Sequence, residues 1–360
     1  MTCVFISDCE GPISKNDNAF ELASCFLPDG DKLFANVSRY DDVLADVLRK
    51  PGYSSGSTLK LILPFFKAYA VTDRQMQEFS EKNVVLIADS RDTLRHVRAV
   101  AEAFIVSTSY EHYIKALCSV LDFPYRNTYC TKVSLDKYAI TPQEKERLKK
   151  VAREISQMRP INIPAAARKL EDFSDGDQAA IQRLDEIFWN EIPRMSIGKV
   201  LSDVVTGGGE QKAEAIRSAV KRLGAELADV MYVGDSITDL EAFKLVNANG
   251  GLTVSFNGNS YAVKNAEVAV LSESNLVTAA IADLFCRFGK EKTIGTLRDW
   301  SYETLENNGL DDSLLRQLAC LFPDALPKAK IVKAQNRESL TKESSEFRKK
   351  VRGVAIGKLA

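Results

Sequence analysis

Short runs of apolar, β-favouring residues recur along the chain, and each is followed by a turn and then by a stretch with helical character. Four of these runs cover residues 3–7, 103–107, 230–233 and 251–256, and a fifth covers residues 268–271. Runs that are apolar on both faces and alternate with helices are typical of a parallel sheet with helices on both sides. The pattern therefore predicts an α/β fold.

Two long helical stretches interrupt this alternation. The first covers residues 14–83, and the second, which is highly charged, covers residues 141–204. The second begins with a clear helix start, because Thr141 can cap the helix, Pro142 suits its first position and Glu144 its third. We interpret the first stretch as a helical cap and the second as a mainly helical insertion near the same face.

The remaining segments give the domain organisation. Residues 1–13, 84–140 and 205–288 are predicted to form the catalytic core, a Rossmann-like parallel sheet with helices on both faces. Residues 289–360 form a helical, basic extension, and from residue 324 onward it carries ten Lys or Arg against four Asp or Glu. Such a tail is either a solvated terminal helix or a surface that docks onto an acidic protein partner or an anionic ligand.

Charge and cysteine usage exclude several classes of protein. The net charge of -1 gives no global indication of nucleic-acid binding, and no apolar run approaches the ~20 residues that span a bilayer. Seven cysteines without a Cys-x-x-Cys pair indicate reduced thiols, and the first residues lack the features of a signal peptide. We expect a cytoplasmic protein with no membrane span and no nucleic-acid partner. With only His96 and His112 in the chain, a histidine-built zinc site is not expected.

The first strand ends in two acidic residues and a glycine, in the order Asp8, Cys9, Glu10 and Gly11. Functional sites of parallel sheets lie at the carboxyl ends of their strands, and Gly11 would let the chain turn so that both carboxylates face a ligand. One carboxylate can attack phosphorus and form an acyl phosphate, while the other protonates the leaving oxygen and then activates water. Alone, this motif is a weak signal and is more typical of an acidic structural turn.

Three further groups of polar residues follow in the sequence. Ser107 and Thr108 come at the end of the second strand before a helix, where hydroxyl and N–H groups can bind an anion or simply cap the helix. Lys212 begins a helix after three glycines and could neutralise a phosphate oxygen. Asp235 and Asp239 follow the third strand four residues apart, and such carboxylates are ligands that suit Mg²⁺.

In this order and context, these groups resemble the four motifs of the haloacid dehalogenase superfamily of phosphohydrolases. The matching residues, in motif order, are Asp8 and Glu10, Ser107, Lys212, and Asp235 and Asp239. The resemblance implies that Asp8 is the nucleophile and Glu10 the acid/base. It also implies that Lys212 neutralises phosphate charge and that Asp239 supports the site.

The resemblance implies a Mg²⁺-dependent phosphatase that hydrolyses a small phosphorylated metabolite through an aspartyl-phosphate intermediate. It implies that Mg²⁺ is held by Asp8, Asp235 and the backbone carbonyl of Glu10. Ser107 and the Thr108 N–H would then hold the phosphoryl oxygens, and the cap would choose the substrate.

Within the superfamily, the chain looks most similar to phosphoserine-phosphatase-like members. Aspartate is more common in the superfamily where Glu10 stands, but some of these members carry Asp-x-Glu-Gly. Residues 8–12 are also similar to an archaeal group called energy-converting hydrogenase A subunit R.

Two alternative functions remain open at this level. One is a regulatory or partner-binding subunit with weak or no catalysis, and the other is a phosphotransferase with an acceptor other than water. Five basic residues of the predicted cap either bind an anion or are ordinary surface charges: Arg39, Arg49, Lys60, Lys67 and Arg74.

Overall fold

The computed structural model describes residues 2–357; position 1 of the predicted core and positions 358–360 of the predicted tail lie outside the described residues. Its centre is a seven-stranded sheet of order β3-β2-β1-β4-β5-β6-β7. The strands are β1 (Val4–Ser7), β2 (Glu102–Tyr110), β3 (Thr128–Thr131), β4 (Val230–Gly234), β5 (Leu252–Phe256), β6 (Val268–Leu271) and β7 (Lys328–Ile331).

Helices cover both faces of the sheet and build a separate helical layer beyond the carboxyl ends of its strands. They are α1 (Asn18–Phe26), α2 (Gly30–Asp42), α3 (Thr58–Ala68), α4 (Asp73–Lys82), α5 (Ser90–Val100), α6 (Glu111–Leu121), α7 (Pro142–Gln157), α8 (Asp175–Asp185), α9 (Val200–Asp203), α10 (Glu210–Leu223), α11 (Leu240–Ala248), α12 (Ser260–Asn265), α13 (Leu276–Arg298), α14 (Tyr302–Asn307), α15 (Asp312–Leu321), α16 (Arg337–Arg352) and α17 (Val354–Gly357).

The α/β prediction is confirmed. Strands β1 to β6 pair in parallel, and all residues of β1, β4, β5 and β6 are buried. Separate apolar clusters lie on the two faces of the sheet, which is why these strands are apolar on both sides.

The two edge strands were not predicted from the sequence. β3 has the sequence Thr-Tyr-Cys-Thr and is half-buried, while β7 alternates lysine with apolar residues and pairs antiparallel to β6. An edge strand contacts one neighbour and faces solvent along the other side, so it lacks the continuous apolar run that marks a central strand. β7 lies in the tail, which therefore contributes to the sheet as well as to helices.

The second strand is longer than its apolar run suggests. It continues to Tyr110, so Ser107 and Thr108 lie within it and not at a helix start. The pairing of β2 with β3 shifts register between Val106 and Tyr110, and α6 begins without a side-chain cap. The Ser107 hydroxyl accepts a hydrogen bond from the Ser109 N–H at 3.1 Å instead. Helix capping is therefore not the role of these hydroxyls.

The two helical stretches share one hydrophobic core. Residues of α2 and α3 belong to the same buried cluster as residues of α7 and α8, and the Asn36 side chain donates to the carbonyl of Ile155 at 2.8 Å. The helix start at Thr141 is confirmed, with Thr141 and Glu144 forming a reciprocal capping box and Pro142 in the first turn. The division into domains stays a prediction, with both stretches packed together above the sheet.

One expectation about the cysteines is wrong. Cys3, just before β1, forms a disulfide with Cys286 on α13, because packing of α13 against the sheet brings together two residues 283 positions apart in sequence. The other five cysteines, Cys9, Cys25, Cys118, Cys130 and Cys320, are free thiols. The expectation of reduced thiols therefore fails for this one pair, and a cytoplasmic location stays a prediction. Within residues 2–357, no helix combines the length and the apolar character needed to cross a membrane.

Candidate active site

The ends of β1 and β4 bring the first and fourth motifs together. These strands are neighbours, with Ser7 opposite Val233, and the N–H of Asp8 donates to the Val233 carbonyl at 2.8 Å. Asp235 therefore lies beside Asp8, and carboxylate oxygens of Asp8, Asp235 and Asp239 lie within 4.8 Å of one another. Residues more than 200 positions apart thus form one acidic cluster because their strands are adjacent.

Gly11 is required by the close approach of this cluster to the turn after β1. Its φ is +107°, and a Cβ atom there would lie 2.0 Å from an Asp235 carboxylate oxygen. Any other residue would combine an unfavourable backbone conformation with a steric clash. The predicted turn is present, and the glycine also makes room for Asp235.

Lys212 neutralises two of the carboxylates. Its Nζ lies 2.6 Å from Asp8 Oδ2 and 2.6 Å from Asp239 Oδ1, and the lysine is fully buried. Burial alone would lower the pKa of Lys212, but Asp239 and Asp8 outweigh it and raise the pKa above its usual value. Burial also raises the pKa of Asp8 to about 7, although Lys212 opposes this effect.

Asp239 is a structural acid with little capacity left for a ligand. Its Oδ1 accepts hydrogen bonds from Lys212 and from the Tyr232 hydroxyl, both at 2.6 Å. Its Oδ2 accepts from the N–H groups of Asp235 at 2.8 Å and Ser236 at 2.9 Å. Burial would raise the pKa of Asp239, but Lys212 and these hydrogen bonds outweigh it and lower the pKa. Asp239 thus stays ionised and fixes the loop that carries Asp235.

Glu10 is positioned as a weak acid at the cavity. Its Oε1 accepts a hydrogen bond at 2.7 Å from the N–H of Asn18, at the start of α1. Burial, reinforced by the negative charge of Asp17, raises the pKa of Glu10 well above its usual value. A raised pKa makes a glutamate better suited to give a proton to a leaving group.

A cavity of about 100 Å³ lies between the strand ends and the helical layer. Of the predicted site residues, five line it: Asp8, Glu10, Ser107, Thr108 and Asp235. Helices α2 and α3 cover it with Phe34, Asp41, Asp42, Thr58 and Leu59. Lys212 and Asp239 are fully buried and act on the cavity through their contacts with Asp8 and Asp235.

The tail contributes two arginines that were not predicted as site residues. Arg348 and Arg352 on α16 line the cavity and both pair with Asp235 Oδ2, Arg352 at 3.1 Å. A signal does exist in the sequence, since the buried residues of α16 recur every four positions: Leu340, Ser344, Arg348 and Arg352. This stripe identifies a helix that buries one face, which a solvated terminal helix would not do.

The basic residues singled out in the cap lie elsewhere. In the described part of the chain, the lining of the cavity includes none of Arg39, Arg49, Lys60, Lys67 and Arg74. Arg39 donates to the Ile161 carbonyl at 3.1 Å, and Lys67 donates to the Leu135 carbonyl at 3.2 Å. Arg74 pairs with Glu78 on the exposed face of α4. Their contacts are those of structural and surface charges.

The donor set fits Mg²⁺. Asp8 and Asp235 offer hard carboxylate oxygens at adjacent strand ends, and Mg²⁺ commonly binds one or two carboxylates together with phosphate and water. Asp235 Oδ2 already pairs with two guanidinium groups, so a metal held by this carboxylate would compete with Arg348 and Arg352. When bound, the metal would neutralise charge on the phosphoryl oxygens.

The chain belongs to the haloacid dehalogenase-like hydrolases, whose family model matches residues 60–283. The resemblance inferred from the motifs is thereby confirmed at the level of the superfamily. The structure of gene product AF1437 from Archaeoglobus fulgidus is similar over 100% of this chain and 99% of that one, with 25% identity and a TM-score of 0.81.

Two structures of phosphoserine phosphatase are more distant. The apo form has 11% identity and a TM-score of 0.40, over 76% of this chain and 96% of that one. The substrate-bound form has 11% identity and a TM-score of 0.43, over 76% of this chain and 95% of that one. No curated protein matches the chain. The resemblances to phosphoserine-phosphatase-like members and to the hydrogenase-associated group stay predictions.

Proposed function

We propose that the protein is a Mg²⁺-dependent phosphatase that hydrolyses a small phosphomonoester through an aspartyl-phosphate intermediate. The observation that carries this proposal is the pairing at the strand ends. Asp8 borders the cavity with its carboxylate 2.6 Å from Lys212, and Asp235 lies beside it on the neighbouring strand. A nucleophilic carboxylate, a balancing lysine and a second acid for a cation are what phosphoryl transfer requires.

In the first half-reaction, an Asp8 oxygen attacks phosphorus while the bond from phosphorus to the leaving oxygen breaks. Glu10 gives its proton to that oxygen, so the product leaves as an alcohol. Ser107 and the Thr108 N–H hold phosphoryl oxygens, and Lys212 balances the negative charge beside the nucleophile. Charge stabilisation of this kind supplies most of the rate acceleration in phosphoryl transfer.

In the second half-reaction, the ionised Glu10 takes a proton from water. The resulting hydroxide attacks the phosphorus of the aspartyl phosphate, the bond from phosphorus to Asp8 breaks, and inorganic phosphate leaves. Asp8 returns as a carboxylate and Glu10 as the protonated acid. Mg²⁺ would be held by Asp8, Asp235 and the backbone carbonyl of Glu10.

The helical layer would select the substrate. Because α2 and α3 cover the cavity, a substrate must either be small or enter when these helices move aside, and closure excludes water. We therefore expect a small phosphorylated metabolite. A cytoplasmic location and a protein partner for the tail belong to the same set of proposals.

A panel of phosphomonoesters tests this function directly. The wild-type protein with Mg²⁺ should release phosphate from at least one member, and an excess of chelator should stop the release. If Asp8→Asn releases phosphate at the wild-type rate, another residue is the nucleophile. If the wild-type protein hydrolyses no member, the regulatory-subunit alternative gains support.

A further inference from the structure

The position of the two tail arginines is set by the docking of α16 on the core. Leu340 packs with Val263 and Ala269, and the Ser344 hydroxyl donates to the Gly258 carbonyl at 2.6 Å. One and two turns further along the same face, Arg348 and Arg352 enter the cavity. The arginines are thus held by a packed helix and are not free ends of a flexible tail.

Arg352 is fixed further by the loop after β1. Its Nε donates to the Lys15 carbonyl at 3.0 Å, and its Nη2 donates to the carbonyl of Asn16. Its remaining terminal nitrogen is the one that reaches Asp235. The guanidinium therefore presents one donor-bearing edge to the cavity in a defined direction.

The arginine pair places two positive charges on one oxygen of Asp235, in a cavity that is also lined by Asp8, Glu10 and Asp17. Arg348 and Arg352 are only 4% and 9% exposed, so water does little to solvate them. Both direct an Nη1 atom at the same oxygen, Asp235 Oδ2. The Nε of Arg348 is buried, and no hydrogen-bond partner for it exists among residues 2–357. Because a buried, unpaired donor on a cation is costly, the Nε of Arg348 favours an additional hydrogen-bond acceptor, such as a phosphoryl oxygen.

The cavity has room for an anion of phosphate size. Its volume of about 100 Å³ is well above the ~10–15 Å³ that one buried water molecule requires. A tetrahedral oxyanion therefore fits in this space. Ser107, Thr108 and the nucleophile Asp8 line the same cavity, so an anion beside the arginines is also beside Asp8.

We propose that Arg348 and Arg352 form an oxyanion subsite for the phosphoryl group of the substrate. This inference rests on the proposed phosphatase function and deepens it. Because backbone carbonyls occupy Nε and Nη2 of Arg352, Arg352 would offer Nη1 to a phosphoryl oxygen, whereas Arg348 would offer its unpaired Nε. Such charge-assisted hydrogen bonds are stronger than neutral ones. The tail helix therefore supplies substrate-binding residues to a site whose other members come from the core and the helical cap.

The subsite also links metal binding to phosphate binding. In the structure, both guanidinium groups contact Asp235 Oδ2. A Mg²⁺ ion held by Asp235 would compete with them for this carboxylate and would leave the arginines available to the phosphoryl oxygens. Metal and phosphate binding are then coupled, since each removes a charge that the other leaves unpaired.

Calorimetric titration with inorganic phosphate, in saturating Mg²⁺, tests the subsite in the full-length protein. Arg348→Gln and Arg352→Gln should each weaken phosphate binding about tenfold or more, because each removes charge-assisted hydrogen bonds. The matched control is Lys350→Gln, which removes one positive charge from the same helix at a side chain that is 67% exposed. It should leave phosphate affinity unchanged.

Titration with Mg²⁺ alone supplies a second readout. Arg348→Gln should bind the metal more tightly than the wild-type protein, because a cation that competes for Asp235 Oδ2 is gone. Wild-type affinity for phosphate in both arginine variants would overturn the proposal. These titrations need no turnover, so they are independent of whether a substrate is hydrolysed.

A crystal structure of the wild-type protein with Mg²⁺ and inorganic phosphate tests the same point without any variant. Nitrogen atoms of Arg348 and Arg352 should lie within hydrogen-bond distance of phosphate oxygens. A bound phosphate that contacts Ser107 and Thr108 while both arginines remain on Asp235 would overturn the proposal, even if the glutamine variants do not fold.

Discussion

Asp8 and Asp235 stand at the ends of neighbouring strands, and they are neutralised in opposite ways. On the side of Asp8, one cation serves two carboxylates, because Lys212 lies 2.6 Å from both Asp8 and Asp239. On the side of Asp235, two cations serve one carboxylate, because Arg348 and Arg352 both reach its Oδ2. If Lys212 is lost, Asp8 and Asp239 lose their shared cationic partner, whereas Asp235 keeps one partner if either arginine is lost.

This difference indicates which contacts are permanent and which can exchange. Losing Lys212 would leave two buried carboxylates unpaired, so its position must be the same throughout the reaction. Losing one contact to Asp235 leaves the other in place, so a metal or a phosphate can replace it. A fixed nucleophile at Asp8 and exchangeable binding at Asp235 are what the proposed metal-dependent phosphatase would need.

The largest expected effect concerns the nucleophile. Asp8→Asn keeps the shape of the side chain but removes the attacking carboxylate, so phosphate release should fall by about a thousandfold or more. The measurement is the steady-state rate with the best substrate of the panel. Asp31→Asn, an exposed change on α2, should retain full activity, and equal loss in both variants would point to an unrelated defect.

The next effect concerns Lys212, the cation that pairs with both Asp8 and Asp239. Lys212→Met should destabilise the metal-free protein by about 3–5 kcal/mol, because it leaves ionised groups buried without a partner. Urea denaturation measures the free energy of unfolding. The control is Lys221→Met, an exposed change on the same helix, which should cost less than about 1 kcal/mol. Similar losses of unfolding free energy in both variants would show that Lys212 contributes no more to stability than an exposed lysine does.

A smaller effect is expected on the side of Asp235. Arg352→Gln should destabilise the metal-free protein by about 2–3 kcal/mol, the range for lost hydrogen bonds to charged groups. Arg348 continues to pair with Asp235, so the loss should be smaller than that of Lys212→Met. If urea denaturation gives Arg352→Gln the larger loss, the contrast between the two carboxylates is wrong.

The smallest effect concerns Asp42, a cavity carboxylate with a weaker partner, since Arg39 lies 3.7 Å away. Burial, reinforced by Asp41, raises the pKa of Asp42 from 3.8 to about 7. Between these values the folded protein binds more protons than the unfolded chain, so this carboxyl makes stability fall as pH rises, levelling off above about pH 7.

Asp42→Asn should remove that part of the pH dependence. The stability difference between wild-type and variant should change by about 2 kcal/mol between pH 5 and pH 8, in favour of the variant at the higher pH. Urea denaturation at the two pH values provides the measurement, with Asp31→Asn as the control. A constant difference would mean that Asp42 titrates normally in the folded protein.

The sequence predicts the strand-end part of the site because its motifs are local. Asp8 with Glu10, and Asp235 with Asp239, each lie within six residues of a recognisable apolar strand. Because the carboxyl ends of parallel strands meet at one edge of the sheet, these residues are predicted to lie together there. The central strands are predicted for the same reason, whereas β3 and β7 lack a continuous apolar run and are missed.

The role of the tail depends on tertiary packing that no local pattern reveals. Arg348 contacts a residue 113 positions earlier in the chain, and this contact exists only because α16 docks against α12 and β6. The charge of the tail indicates an anionic ligand or partner as one alternative, and this stays a prediction; the contact of the tail with Asp235 of the same chain cannot be read from charge alone. The shared core of the two helical stretches likewise depends on packing between distant helices.

The most direct test of the account is chemical identification of the phosphorylated residue. The Glu10→Gln variant should accumulate the intermediate, because it slows attack by water, and borohydride reduces an aspartyl phosphate to homoserine. Peptide mass spectrometry after reaction with the best substrate should find homoserine at position 8. A phosphoryl group at any other residue, or substrate turnover without homoserine at position 8, would contradict Asp8 as the nucleophile.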